Sequence, residues 1–274
     1  MPSQDNITRP ISLISHGRSG TSLVMNILRG HPGMVTVGET AQMIFGIWHS
    51  LEKAKGIIRP DPELGGADNH DARCAKAVRA AMLATFPDTG HKDWMQKPIN
   101  LPWVMRHFPK TMKMSARCAW YWNAFNTCFP DSRTITILRH PYDVVLSSAE
   151  YWNVPHRRAW QGVVQMAEII DHPESNIDFA ISHARLAADP DPEIARLLDH
   201  LGLERAAACF QAADKVYVPR RKENNVPKNE LPDHVSRGFS RKADWDKIDV
   251  SQFRENEREI VERMWARFGE SLEF

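Results

Sequence analysis

The chain has 274 residues and a net charge of +1, enough length to bury a substantial core and no strong field to favour nucleic acid or an anionic membrane. Its four cysteines, Cys74, Cys118, Cys128 and Cys209, show no paired short spacing, which argues against a zinc site or a disulfide scaffold and fits a reducing cytoplasm. No stretch approaches the roughly 20 apolar residues of a membrane span, and the first ten residues lack the apolar core of a signal peptide.

The stretch Ile11 to Thr40, ISLISHGRSGTSLVMNILRGHPGMVTVGET, opens with a short apolar run suited to a buried strand. A Gly-bounded loop, His16 to Gly20, follows, and Leu23, Val24, Ile27 and Leu28 then recur at helical spacing. Strand, glycine loop and helix together offer backbone N–H groups and a positive helix end to an anion. Gly17 and Gly20 let the backbone curl close to a phosphate or sulfate. Arg18 adds a charged planar fork, and Ser19, Thr21 and Ser22 add hydroxyls and amides.

His31-Pro32-Gly33 reads as a turn, and Met34 to Val37 as a second short strand, with Glu39 just past its end. Ligands of an open parallel sheet sit beyond the carboxyl ends of its strands, so Glu39 is expected near the first loop. Gln42 to Lys53 looks helical, Gly56 to Asp71 is loop, and Ala72 to Phe86 is helical again. Lys92 to Lys97 is a strand stopped by Pro98, which puts Lys97 at a strand end. Leu101 to Phe108 is read as a helix, and Thr111 to Trp120 as an extended piece leading into a helix from Ala119 to Phe129.

Arg133 to Leu138, RTITIL, is β-branched and apolar enough for a central parallel strand. Arg139 ends it, His140 suits an N-cap and Pro141 the first helical position. Ser147 stands eight residues beyond Arg139, where an arginine at a strand end and a serine on the next helix can converge on one anion. A bland alternative pairs Arg139 with Asp143. Two such junctions imply a ligand with two separated phosphate-like groups. Arg157 to His172 is helical, Ile177 to Ile181 a strand, and Pro190 to Leu201 a helix ended by Gly202. Val218 to Trp245, with seven Lys or Arg, reads as a long loop, and Glu255 to Phe268 as a closing amphipathic helix. Alternating strands and helices argue for an α/β fold, three-layer α/β/α with a central mostly parallel sheet, as one domain over residues 1–274.

GRSGTS, HP, GET and RHPYDVVLSS resemble the sulfotransferase superfamily, whose donor is 3′-phosphoadenosine 5′-phosphosulfate (PAPS). RSGTSL with the acidic residue of GET is similar to the tyrosylprotein and bacterial branch. The resemblance makes the first loop the 5′-phosphosulfate cradle and Arg139 with Ser147 the 3′-phosphate pair. Arg237-Gly238 resembles a late Arg-Gly element that closes over the same phosphate. It implies a P-loop-like sheet, 3′,5′-diphosphoadenosine as product, no metal, and a small-molecule or other hydroxyl-bearing acceptor. Alcohol, phenol, sugar, lipid headgroup and peptide tyrosine all stay open, and the sequence sets no oligomeric state.

For catalysis the resemblance points to Arg18, Glu39 and Lys97. The cytosolic branch carries Lys-Thr-His-Leu-Pro where this chain has Lys97-Pro98-Ile99-Asn100-Leu101-Pro102. Lys97 then matches a contact to the bridging oxygen, while the basic His of those relatives is missing. Glu39 is the better general base, standing where the tyrosylprotein branch has its glutamate, with an N-cap or a salt bridge to Arg18 as its structural alternatives and His16 in reserve. Trp48, Trp152 and Trp160 lie in stretches expected to flank the acceptor, with core packing as the equal alternative. The element that relatives write YEDL is His183-Ala184-Arg185-Leu186 here, a departure. The rival functions are a P-loop kinase or NTPase, which needs G-x-x-x-x-G-K-[ST] and a Mg²⁺-binding hydroxyl, and a non-catalytic adenosine-phosphate binder on the same fold.

Overall fold

Short β-branched and apolar runs become strands, and segments with a 3.6-residue apolar period become helices. The computed structural model describes residues 6–54, 70–99, 108, 111–213 and 245–274. Its strands are β1 (Ile11–Leu13), β2 (Met34–Glu39), β3 (Asp93–Lys97), β4 (Arg133–Leu138) and β5 (Ile177–Ser182). They form one parallel sheet in the order β2-β3-β1-β4-β5. The helices include α1 (Thr21–Arg29), α2 (Ala41–Ala54), α3 (His70–Thr85), α4 (Met114–Cys128), α5 (Pro141–Trp152) and α6 (His156–Ile170). After β5 come α7 (His183–Ala188), α8 (Pro190–His200), α9 (Ala207–Ala213) and, last, α10 (Glu255–Ala266). Among the described residues no helix is long and apolar enough to cross a membrane. The helix expected from Leu101 to Phe108, apart from Phe108 itself, and most of the loops expected at 56–71 and 218–245 lie outside the described residues.

Among the boundaries that differ from the sequence reading, two stand out. β2 continues through Glu39, because its register against β3 shifts between Thr36 and Gly38 and Gly38 turns to φ +79°. A left-handed residue inside a strand is a bulge device, and glycine adopts it without a Cβ penalty. α4 starts at Met114 rather than Ala119. Its buried face is Cys118, Tyr121, Trp122, Phe125 and Cys128, a helical spacing that the strand-favouring run Trp120-Tyr121-Trp122 obscures.

The chain falls into two compact units, interleaved along the sequence. The first comprises Met1–Ile14, Gly33–Ile135 and Glu168–Asp178. Its core is aromatic: Phe45 lies 4.7 Å from Tyr121, which meets Trp122 edge-on at 5.2 Å, and Trp94 meets Phe129 at 5.9 Å. The buried indole Trp122 donates to Ile169 O at 2.8 Å, and the buried phenol Tyr121 donates to Pro98 O at 3.0 Å. A buried polar chain crosses the strands, with Thr40 donating to Gln96 Oε1 (2.7 Å) and Gln96 Nε2 to Ser12 Oγ (3.1 Å). Each partner satisfies the other, so the polar atoms are buried without an orphaned donor.

The second unit comprises Ser15–Pro32, Thr136–Ala167 and Phe179–Phe274. Leu23, Val24, Ile27 and Leu28 of α1 are all buried, as the spacing requires. Trp160 of α6 stacks on Phe253 at 4.4 Å and donates to Glu257 Oε2 at 3.0 Å. The Arg157 fork grips the same carboxylate. Both contacts tie α10 to α6 through a planar, bidentate pair. Glu193 of α8 accepts from Ser182 N (2.6 Å), Arg185 and Arg196, which fixes the turn from β5 into α7.

Candidate functional site

The loop after β1 is built by two left-handed residues, Arg18 (φ +73°) and Gly20 (φ +103°). The sequence reading assigned the curl to Gly17 and Gly20. Gly17 instead leaves room for a ring, since a Cβ there would lie 3.0 Å from Trp152 Cη2. A non-glycine residue in the left-handed region costs about 1–2 kcal/mol, so the neighbours must hold Arg18 in place. They do so with Arg139, whose Nη1 donates to Arg18 O at 2.9 Å. Ser15 Oγ donates to Ile137 O at 2.9 Å and ties the start of the loop to β4. Ser19 and Thr21 are buried, and Ser22 is exposed in the first turn of α1. Gly20 provides no side-chain cap; Leu23 N and Val24 N donate to Gly20 O at 3.0 and 3.3 Å, while Thr21 N and Ser22 N make no hydrogen bond among the described residues and are open to an anion.

The side chain of Arg18 lies 4.4 Å over the ring of Tyr151, and its Nε donates to Ser147 Oγ at 3.2 Å. Arg139 and Ser147, which the sequence offers as partners for one anion, both also reach the loop: Arg139 donates to the Arg18 carbonyl and Ser147 accepts from the Arg18 side chain. Asp143 lies 3.8 Å from Arg139 Nε and also accepts from Trp245 Nε1 at 2.9 Å. Trp245 stacks at 3.9 Å on His140, whose Nδ1 accepts from Tyr142 N as the expected N-cap. Burial draws the Arg139 guanidinium below its ordinary value, with Asp143 opposing and Arg18 adding to the effect. Arg139 Nε and Ser148 Oγ are buried and make no hydrogen bond among the described residues. Two neighbouring guanidinium groups and a helix start without a side-chain cap fit an anionic ligand.

Two histidines share this unit. His16 is buried and donates Nδ1–H to Gly17 O, and desolvation pushes its pKa down to about 4. Its Nε2 lies 2.9 Å from where a Cβ on Gly162 would stand, so it is a packed, neutral ring. His183, which the sequence reading passed over as a catalyst, is buried against the loop, its Cδ2 3.0 Å from the Cβ position of Gly20. Burial first and the Arg139 charge second bring it to about 4. Its only signal in the sequence was the departure from YEDL directly after β5.

Within the first unit, Glu39 and Lys97 are the last residues of β2 and β3 and face each other in register. Lys97 Nζ donates to Glu39 Oε1 at 3.2 Å. Lys97 is 13% exposed and Glu39 is 61% exposed, so the ammonium is sheltered and the carboxylate open. Glu39 is thus paired to Lys97, a partner the sequence reading did not weigh. The N-cap position before α2 is Thr40, whose N donates to Lys97 O at 3.1 Å. Of the three tryptophans expected at an acceptor, Trp48 and Trp160 are core residues, 1% and 0% exposed, while Trp152 is 45% exposed. The long flat faces of the first two supply packing area to α2 and α6. Arg237 and Gly238 lie outside the described residues.

A parallel sheet with an arginine-bearing glycine loop after β1 and a second arginine after β4 defines an α/β protein. The description "Sulfotransferase family" matches residues 10–207, and the chain belongs to that family. No curated protein matches it. Among solved structures it is similar to the sulfotransferase domain of the Synechococcus PCC 7002 olefin synthase, with 14% identity over 97% of this chain and 96% of that one, at a TM-score of 0.56. It is similar as well to the sulfotransferase domain of the curacin biosynthetic pathway, with 15% identity, 96% and 98% coverage, and a TM-score of 0.56. At these identities the likeness is one of fold.

Proposed function

We propose that the protein transfers a sulfuryl group from PAPS to an acceptor hydroxyl, with Glu39 as general base. The observation that carries this reading is the cluster of Arg18, Ser147 and Arg139 around a left-handed loop. It concentrates positive charge and unused N–H donors where a nucleotide with two anionic ends would bind. Gly17 to Ser22 and Arg18 hold the 5′ end, and Arg139 and Ser147 the 3′-phosphate. Arg237 and Gly238 join them on the strength of the resemblance. PAPS supplies the sulfuryl group, and the residues bind, orient and move a proton. A sulfuryl group carries less negative charge than a phosphoryl chain, so Arg, Lys and amides suffice without Mg²⁺.

Glu39 takes the acceptor's proton, a task that suits an exposed carboxylate held by one partner. The Lys97 ammonium has three N–H donors, one of which is spent on Glu39. The others serve the charge that develops on the leaving oxygen. Both fold neighbours are named as domains of biosynthetic systems, which favours a hydroxyl on a small biosynthetic intermediate as acceptor. The test is calorimetry with 3′,5′-diphosphoadenosine in the absence of metal, followed by PAPS turnover with a panel of hydroxyl acceptors. Tight Mg²⁺-dependent ATP binding with no affinity for the diphosphate would overturn the reading.

A further inference from the structure

We propose that Tyr151 is a positioning residue of the reaction, holding the Arg18 guanidinium by its face so that its outer N–H edge stays free for the donor. The proposal rests on the donor reading above. Arg18 Cζ lies 4.4 Å from the centre of the Tyr151 ring, within the range of a cation–π contact. Ser147 and Tyr151 are four residues apart on α5, so they present one face of the helix. The two contacts therefore form a bracket: Ser147 Oγ takes Nε and the Tyr151 ring takes the plane.

The bracket has a charge problem to solve. Arg18 and Arg139 are close enough that the charge of one disfavours the other. Among the described residues Arg18 has no carboxylate within ion-pair distance, so repulsion and a long side chain's rotamer freedom both push it toward solvent. A carboxylate at position 151 would hold Arg18, but it would cancel the charge and occupy its donors. An aromatic face orients the guanidinium and uses none of its five N–H groups. After the bond to Ser147, the four Nη hydrogens remain for an anion, with no bond among the described residues. Trp152 backs this arrangement, meeting Tyr151 edge-on at 5.8 Å and His16 edge-on at 5.8 Å. Tyr151 is partly buried and Trp152 beside it is 45% exposed, so both rings border solvent next to Arg18.

The experiment compares Tyr151→Leu, which keeps apolar bulk and loses the π face, with Tyr151→Phe, which keeps the face and loses the hydroxyl. Turnover at saturating PAPS is expected to fall about 5- to 30-fold in the leucine variant and to stay within about threefold of the parent in the phenylalanine variant. Affinity for 3′,5′-diphosphoadenosine, which keeps the 5′-phosphate but lacks the sulfuryl group, should fall less than turnover does in the leucine variant and stay within about threefold of the parent in the phenylalanine variant. In an Arg18→Ala background the leucine substitution should cost nothing more, because the group it positions is gone. Equal turnover of the leucine variant and a folded, active parent overturns the proposal alone. So does a phenylalanine variant as impaired as the leucine one, or full additivity with Arg18→Ala. A parent that fails to bind the diphosphate and fails to turn over PAPS overturns the donor reading itself. Should the leucine variant melt far below the parent, Tyr151→Met and the Arg18→Ala cycle carry the same comparison.

Discussion

Replacing Arg139 by alanine separates two roles that the sequence would merge. If Arg139 only touched the 3′-phosphate, its loss would be one of uniform binding, and donor affinity alone would suffer. The structure gives it a second task, because its Nη1 holds the carbonyl of Arg18 at 2.9 Å while Arg18 sits at φ +73°. Losing a charged contact to the phosphate weakens binding by about 1.5–3 kcal/mol, a rise of roughly 10- to 150-fold in the dissociation constant. The left-handed backbone of Arg18 is unfavourable by about 1–2 kcal/mol, so a released loop spends less time in the binding form. Turnover at saturating donor should then fall by a further 5- to 30-fold or about that order. Asp143 keeps its bond from Trp245, which limits collateral damage, and a thermal melt checks it. Calorimetry with 3′,5′-diphosphoadenosine and initial rates with PAPS read the two effects separately. Unchanged affinity refutes the assignment of Arg139 to the donor, and lowered affinity with intact turnover refutes its hold on the loop.

Three further outcomes follow from particular contacts. Glu39→Gln should leave diphosphate binding intact and lower turnover by about 10²–10⁴-fold with a neutral alcohol, less with an already ionised phenol. Its pair with Lys97 is mostly exposed on the carboxylate side and is worth at most about 1 kcal/mol, so melting temperature should barely move; parental turnover would place the base elsewhere. Gly20→Ala should cost about 2–4 kcal/mol and abolish diphosphate binding, because the site has φ +103° and a methyl would meet His183 and Ile137 at 3.0 Å; a denaturation curve equal to the parent's would contradict this. His16 and His183 have folded pKa values of about 4 against an ordinary 6.5, so the unfolded chain binds more protons between those values. Stability should rise with pH through that window and flatten above it, with a loss of about 2 kcal/mol per histidine on going from pH 7 to 5. His183→Asn should remove its share of the slope in urea titrations, and an unaltered slope would exclude it.

The β-branched run of Arg133 to Leu138, the apolar spacing of α1 and the Pro141 start of α5 were legible because each is a local preference. Strand pleat, helical period and fixed proline φ act over a few residues. The loop itself was legible too, since Gly17-Arg18-Ser19-Gly20 stands between a strand-forming run and a helical period. What the sequence left open depends on neighbours brought together from far along the chain. That Ser147 also reaches Arg18, 129 residues away, is decided by the packing of α5 against the loop. Glu39 pairs with Lys97 only because a register shift at Gly38 extends β2 and sets the two residues opposite each other. Trp48, Trp152 and Trp160 are the same residue type in similar surroundings, and only burial tells the two core indoles from the exposed one. His183 gave no signal beyond that departure from YEDL, because a histidine's role lies in its surroundings. Its neutrality and its place against Gly20 come from desolvation and the charge of Arg139, long-range quantities that no local pattern encodes.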